Sequence, residues 1–198
     1  MIVFIVVPKN SSLKKYKDQA LEYLDANSRT ISVRARDVPL FVKQFLKKNR
    51  QAVGLTGEDL FREWTLRERE TRIKVIKKIG WHDENAMFKR PVLCLIGPKN
   101  RTLATIKKKN TVAIPEKYKT ISKKYLNFLE SKNFTFEKIY LNGAVETSCA
   151  ENISDLVIDI VYSGKTIKKL GLKVYDKIFE SNFVIIGDKR LRKKGRNQ

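Results

Sequence analysis

Short continuous apolar runs alternate along the chain with stretches whose apolar positions recur every three or four residues. Ile2 to Val7 is an apolar run of strand length, and Leu13, Tyr16, Ala20, Leu21 and Leu24 follow at helical spacing. Ile31 to Val33 reads as a second strand. Asp37 is placed to cap a helix with Pro39 in its first turn, and Val42, Phe45 and Leu46 supply its buried stripe. Ala52 to Leu55 is a third strand that ends at Thr56 and Gly57, from which Glu58 starts another helix. This βαβαβα order predicts an α/β fold with a largely parallel sheet and helices on its faces.

From Trp64 to Lys89 the character changes to dense mixed charge, with Thr65 to Arg72 read as an exposed helix or connection and a domain boundary near Pro91. Val92 to Ile96 and Thr111 to Ile114 are further strands. Ile121, Tyr125, Phe128 and Leu129 then mark a helix, and Phe136 to Leu141 the next strand, closed by an Asn142-Gly143 turn. Leu156 to Val161 leads into a second glycine turn, and Phe183 to Ile186 is the last strand. No internal repeat is evident.

Composition narrows the class. A hydrophobic fraction of 42% over 198 residues is ample for a packed core, in one large domain or two small ones. No apolar run approaches the roughly 18 residues of a membrane span, and the first residues carry no basic leader, so the expected protein is cytoplasmic. Cys94 and Cys149 lie far apart and His82 is the sole histidine, which supports neither a metal site nor a Cys-His nucleophile and leaves both thiols reduced. The net charge of +21 points to polyanions or an acidic partner. Part of it sits in a basic tail, residues 188–198, which suits an arm on RNA or the ribosome as well as a solubilising extension.

The run Asp159-Ile-Val-Tyr-Ser-Gly-Lys-Thr166 carries the clearest chemistry. An apolar strand stops in a small turn where Gly164 lets backbone approach an anion, Ser163 and Thr166 offer hydroxyls, and a helix follows at Ile167 to Leu170. Such a turn by itself serves equally to reverse the chain.

Its neighbourhood decides. Arg34-Ala-Arg-Asp37-Val-Pro39, Gly54-Leu-Thr-Gly57-Glu-Asp59, Leu141-Asn-Gly-Ala-Val-Glu146 and Asp155 to Thr166 together resemble the ordered blocks of the ATP phosphoribosyltransferase family of histidine biosynthesis. The resemblance spans Ile31 to Gly187 and is most specific from Val112 through Leu172. It implies a two-domain, periplasmic-binding-protein-like α/β fold with mostly parallel sheets and the active site in the cleft. Residues 1–90 with 178–187 would form the first domain and residues 91–177 the phosphoribosyl-pyrophosphate-binding domain.

The reaction implied is displacement of pyrophosphate from phosphoribosyl pyrophosphate by N1 of ATP, with Mg2+ carried on the substrate and no protein metal site. It rests on positioning and electrostatics rather than a protein nucleophile. By the resemblance, Ser163, Gly164, Lys165 and Thr166 hold the 5′-phosphate, and Glu146 and Asp159 sit near the ribose hydroxyls. Lys9 and Arg34 face the pyrophosphate or triphosphate, and Gly57 lets its turn approach substrate. Each has a plainer reading: Glu146 as a helix cap, Asp155 as a surface ion pair, Lys165 as solvated, and Arg34 paired with Asp37 or Glu58.

The departures gather in the first domain. The family's Pro-Lys-Gly-Arg stands here as Pro8-Lys9-Asn10-Ser11, the connection from Leu13 to Ile31 is short, Gly80 to Pro91 replaces a glycine-rich stretch, and Asn152 takes a small residue's place. The absence of a regulatory domain after Gly187 resembles the short family form, which implies a homo-oligomer or a separate regulatory subunit related to histidyl-tRNA synthetases. Two other readings stay open: a non-catalytic paralogue that binds RNA or the ribosome through its basic surface, and a small-ligand binding protein that uses only the phosphate turn.

Overall fold

A computed structural model describes residues 2–9, 28–68 and 72–190. The helix expected over Leu13 to Leu24, the Asn10-Ser11 departure and residues 191–198 of the basic tail lie outside the described residues. The chain divides into two compact units, residues 1–80 with 182–198 and residues 81–181. In the first lie strands β1 (Val3–Pro8), β2 (Ser28–Val33), β3 (Ala52–Gly57) and β4 (Ile73–Ile79), with helices α1 (Val38–Lys47) and α2 (Glu58–Glu68). The second holds β5 (Val92–Pro98), β6 (Lys109–Pro115), α3 (Lys119–Glu130), β7 (Thr135–Leu141), α4 (Val145–Ala150), β8 (Leu156–Val161), α5 (Lys165–Lys169) and β9 (Leu172–Glu180). The chain then returns to the first unit as β10 (Phe183–Asp188).

Both units contain a five-stranded sheet of one design. The first runs β2-β1-β3-β10-β4, with β1 parallel to β2 and β3 and with β10 antiparallel to β3 and β4. The second runs β7-β6-β8-β5-β9, with β6 parallel to β7 and β8 and with β5 antiparallel to β8 and β9. Each sheet is therefore mostly parallel by strand direction but carries one reversed strand inside it. The reversed strand is the one the chain enters on arriving from the other unit. Strands β3, β10 and β5 are buried almost throughout, which is why they read as unbroken apolar runs.

Strands β4 and β9 are the two strands that the apolar pattern did not reveal. Both lie at sheet edges and are largely half-exposed, so Lys74, Lys77 and Lys78 in one, and Lys173 and Lys177 in the other, interrupt the apolar run. A register shift in the β4 pairing further breaks its two-residue period. The stretch read as exposed helix or connection from Thr65 is helical as far as Glu68.

Helix α1 buries Val38, Pro39, Val42 and Leu46 against β3. Gly54 permits that approach, since a Cβ there would lie 2.6 Å from Val38 Cγ1 and 2.7 Å from Val42 Cγ2. Asp37 does not cap α1 through its side chain. A 3-10 turn over Ala35–Asp37 leads straight into the helix, and the Asp37 amide donates to the Arg34 carbonyl at 2.8 Å. On α3, Ile121, Ser122, Leu126 and Leu129 face the core. Phe128 is not part of that stripe: it is 54% exposed, with the Lys132 ammonium 4.3 Å from its ring centroid.

The division between the units falls after Gly80 rather than at Pro91, because Met87 N–H donates to the Tyr162 carbonyl at 2.7 Å and ties residues 81–90 to the second unit. At the other end β9 continues past residue 177 to Glu180, and Ser181 N–H donates to the Pro91 carbonyl at 2.9 Å. Cys94 and Cys149 are free, buried thiols whose titration burial pushes up to about 12 and about 11. No described helix is long and apolar enough to cross a membrane.

The start of the basic tail has a structural task. Asp188, 3% exposed at the end of β10, accepts from Arg72 Nε at 2.7 Å and Arg190 Nη2 at 2.7 Å. Hydrogen bonds from Arg190 and Arg72 hold its carboxyl well below the usual range. Asp188→Ala should cost about 1–3 kcal/mol in urea unfolding at pH 7. A depressed carboxyl stabilises the fold above its unfolded value and loses that effect as pH falls, so the gap between wild type and variant should narrow below about pH 4. A gap that is constant with pH would exclude this charge network as its source.

Candidate functional site

In the second unit, β6, β8 and β7 are contiguous and parallel, and the residues read from sequence gather where these strands end. Open α/β sheets bind ligands at that edge because the loops leaving it converge there. Residues 162–164 leave β8, residues 142–144 leave β7, and residues 116–118 leave β6.

Gly164 adopts φ +69° and ψ 2°, the left-handed conformation that its missing side chain makes inexpensive. Its carbonyl accepts from Lys168 N–H at 3.1 Å, which starts the single turn of α5. Ser163, Lys165 and Thr166 are exposed around it, and Ile167 is buried beneath as the anchor. Lys165 N–H reaches Ser163 Oγ only at 3.4 Å, so the hydroxyl is weakly engaged within the turn. Turn, hydroxyls and lysine thus come together around a closely approachable backbone.

Asp159 lies on β8, half-buried, and its Oδ1 accepts from the Ile160 amide at 2.7 Å. Its carboxyl is pushed up to about 6 by burial, opposed by the Ile160 hydrogen bond, raised further by the charge of Glu146 and lowered by that of Lys117. Two carboxylates and one ammonium therefore share a field. Glu146 is half-exposed in the first turn of α4, and Ala144 before it is left-handed at φ 51°, unusual for a residue with a Cβ. Glu146 makes no cap to that helix: its N-cap position is Ala144, and no side-chain cap bond forms. Asp155 is held structurally instead, accepting from Thr111 N–H at 2.9 Å and facing Lys107 Nζ at 3.6 Å.

Sequence reasoning missed Lys117 and the left-handed Ala144. Lys117 could have been found from its place two residues after Pro115, at the end of a strand parallel to β8. Ala144 offered no such signal, since alanine does not advertise a positive φ.

In the first unit the same edge carries Lys9, Arg34 and Gly57, which follow β1, follow β2 and end β3. Pro8 pairs with Val33 in register, and Lys9 N–H donates to the Val33 carbonyl at 2.8 Å, so Lys9 and Arg34 leave adjacent strands together, both exposed. The partners considered for Arg34 are otherwise engaged: Asp37 faces Arg36 at 3.9 Å, and Glu58 is bound by Lys78 and by Asn182 Nδ2. Gly57 is buried and pairs with Phe183, and the next amide, on Glu58, donates to the Asn182 carbonyl at 2.8 Å. The described residues contain no group of three or more His, Cys, Asp and Glu side chains able to hold a metal ion.

Two measurements check this geometry. Gly164→Ala should cost about 1–2 kcal/mol through its left-handed backbone, whereas Ala144→Gly should leave stability unchanged or slightly raised. Equal losses in urea at both positions would count against the strained turn. Ionised Asp159 disfavours folding, because its folded value exceeds 3.8. That effect is absent below 3.8, grows up to about 6 and is full above it. Asp159→Asn should therefore stabilise the protein by about 1–3 kcal/mol at pH 7.5 and by nothing at pH 3.5. A variant less stable at pH 7.5 would show that the carboxylate is not held at a cost.

Comparison with known proteins converges on one family. The profile of HisG, ATP phosphoribosyltransferase, matches residues 34–198. The ATP phosphoribosyltransferase of Caldicellulosiruptor bescii is 30% identical over 161 residues, covering 81% of this chain and 68% of the relative. That of Methanococcus maripaludis is 28% identical over 168 residues, covering 84% of this chain and 52% of the relative, so the chain spans about half the length of that protein. Among solved structures, the ATP phosphoribosyl transferase (HisG:HisZ) complex from Thermotoga maritima matches with a TM-score of 0.72 at 22% identity, covering 98% of this chain and 91% of that one. The periplasmic aliphatic sulphonate binding protein SsuA from Escherichia coli matches with a TM-score of 0.60 at 14% identity, over 96% and 65% of the two chains, which shows a shared periplasmic-binding-protein-like fold. The chain belongs to the ATP phosphoribosyltransferase family, whose reaction opens histidine biosynthesis.

Proposed function

We propose that this chain transfers phosphoribosyl from phosphoribosyl pyrophosphate to N1 of ATP. The observation that carries the reading is the left-handed Gly164 turn with exposed Ser163, Lys165 and Thr166, beside the Asp159 and Glu146 carboxylates. The turn holds the 5′-phosphate, with hydroxyls and the close backbone as donors and Lys165 as countercharge. Asp159 is mostly ionised at neutral pH and, with Glu146, accepts hydrogen bonds from the ribose hydroxyls. As the glycosidic bond to pyrophosphate lengthens, positive charge grows on the ribose ring, and these carboxylates favour it electrostatically. Lys9 and Arg34, with Gly57 beside them, supply the countercharge for pyrophosphate or triphosphate.

A magnesium ion carried on the substrate's pyrophosphate would balance charge on the leaving group. A separate partner subunit, as in the Thermotoga maritima complex, or self-association completes the assembly, and the expected compartment is the cytoplasm. The family match favours this transferase over the RNA- or ribosome-bound paralogue.

Calorimetric titration of nuclease-treated protein with magnesium phosphoribosyl pyrophosphate, followed by an assay for phosphoribosyl-ATP, tests the reading. Saturable binding and product are expected. No binding, together with RNA retention that weakens steeply with salt, would replace the transferase with the paralogue.

A further inference from the structure

The phosphate turn is held from behind by a segment that the reaction has not used. Residues 83–89 form a small closed loop: Asp83 N–H donates to the Lys89 carbonyl at 2.9 Å, Ala86 N–H to the Asp83 carbonyl at 3.0 Å, and Lys89 N–H to the Ala86 carbonyl at 2.9 Å. Lys89 closes it in a left-handed conformation, φ 60°, which a lysine adopts only when its surroundings compel it. Ala86 is buried, and Phe88 packs on the core cluster that contains Val161 and Ile167, the apolar residues on either side of the turn. The Lys177 ammonium lies 4.2 Å from the Phe88 ring centroid. The loop is thus fixed before it touches the turn.

It then touches the turn at three points. Met87 N–H donates to the Tyr162 carbonyl at 2.7 Å. The Tyr162 hydroxyl donates to Asp83 Oδ2, while Asp83 Oδ1 accepts from Asn85 N–H at 2.9 Å and Asn85 Nδ2 at 3.2 Å. Met87 Sδ lies 2.9 Å from where a Cβ on Gly164 would stand. The contacts bracket Ser163 without engaging its hydroxyl. A carbonyl oxygen next to an anion site repels the anion if it swings inward, and the Met87 amide holds the Tyr162 carbonyl to the loop.

Surface exposure argues against packing as the purpose of these contacts. Met87 is 54% and Tyr162 38% exposed, so neither side chain gains much by burial here. We propose that residues 83–89 are a brace that presets the phosphate turn, with Tyr162 and Asp83 as positioning residues for the phosphoribosyl substrate. The proposal rests on the function assigned above.

The experiment combines hydrogen exchange with binding in the full chain. Tyr162→Phe removes the hydroxyl and little else. It should lower protection of the Met87 and Lys168 amides about tenfold and weaken phosphoribosyl pyrophosphate about five- to tenfold, with ATP affinity and thermal midpoint nearly unchanged. Asp83→Asn keeps an acceptor for the Tyr162 hydroxyl and should lose little, while Asp83→Ala should match Tyr162→Phe and add little to it in the double variant. Unchanged exchange in Tyr162→Phe would overturn the brace whether or not the substrate binds. Faster exchange with unchanged substrate affinity would overturn the positioning role. Failure of wild type to bind phosphoribosyl pyrophosphate while Tyr162→Phe still loosens the turn would instead overturn the assigned function and leave the brace established as a structural element.

Discussion

The pairing of one reversed strand inside each sheet is the interaction on which the rest of the molecule depends. β10 lies between β3 and β4, and β5 lies between β8 and β9, so each supplies backbone partners to two strands that do not otherwise meet. Both are buried along almost their whole length, and each such aliphatic side chain contributes about 1.5–3 kcal/mol on leaving water. With these strands accounting for the reversed pairings, the three contiguous parallel strands of each sheet end side by side. That common edge is where backbone is free to turn, and where both sets of candidate residues stand.

At that edge the second unit departs from what stability alone would select. A half-buried carboxylate is retained close to another, and Ala144 and Lys89 occupy a backbone region that costs about 1–2 kcal/mol for residues with a Cβ. Strain and unfavourable charge beside one glycine turn fit the phosphoribosyl site proposed there. The first unit shows less of this at its corresponding edge, where the Glu58 amide is already bound by Asn182.

Strands covered on both faces were legible because burial demands an unbroken apolar run, as in Val92 to Ile96 and Phe183 to Ile186. Edge strands β4 and β9 were not, since their lysines belong to the half-exposed face and mimic a charged loop. The turn at Gly164 was legible because glycine, hydroxyls and strand length occur within eight consecutive residues, 159–166. What surrounds it was hidden: Tyr162 meets Asp83 across a sequence separation of 79, and no local pattern encodes such a contact. Lys117 bears on Asp159 only because two strands lie side by side. Apolar periodicity reports which faces are covered, whereas the site is assembled from loop residues whose neighbours are chosen by topology.

Because β10 comes from beyond residue 181, the second unit is an uninterrupted insertion within the first. During synthesis, residues 81–181 can complete their sheet while the earlier strands still lack the partner that joins β3 to β4. The order in which the sheets can be completed therefore runs opposite to the order in which they begin: the sheet begun second has all its strands by Glu180, whereas the sheet begun first gains the strand between β3 and β4 only with Phe183–Asp188.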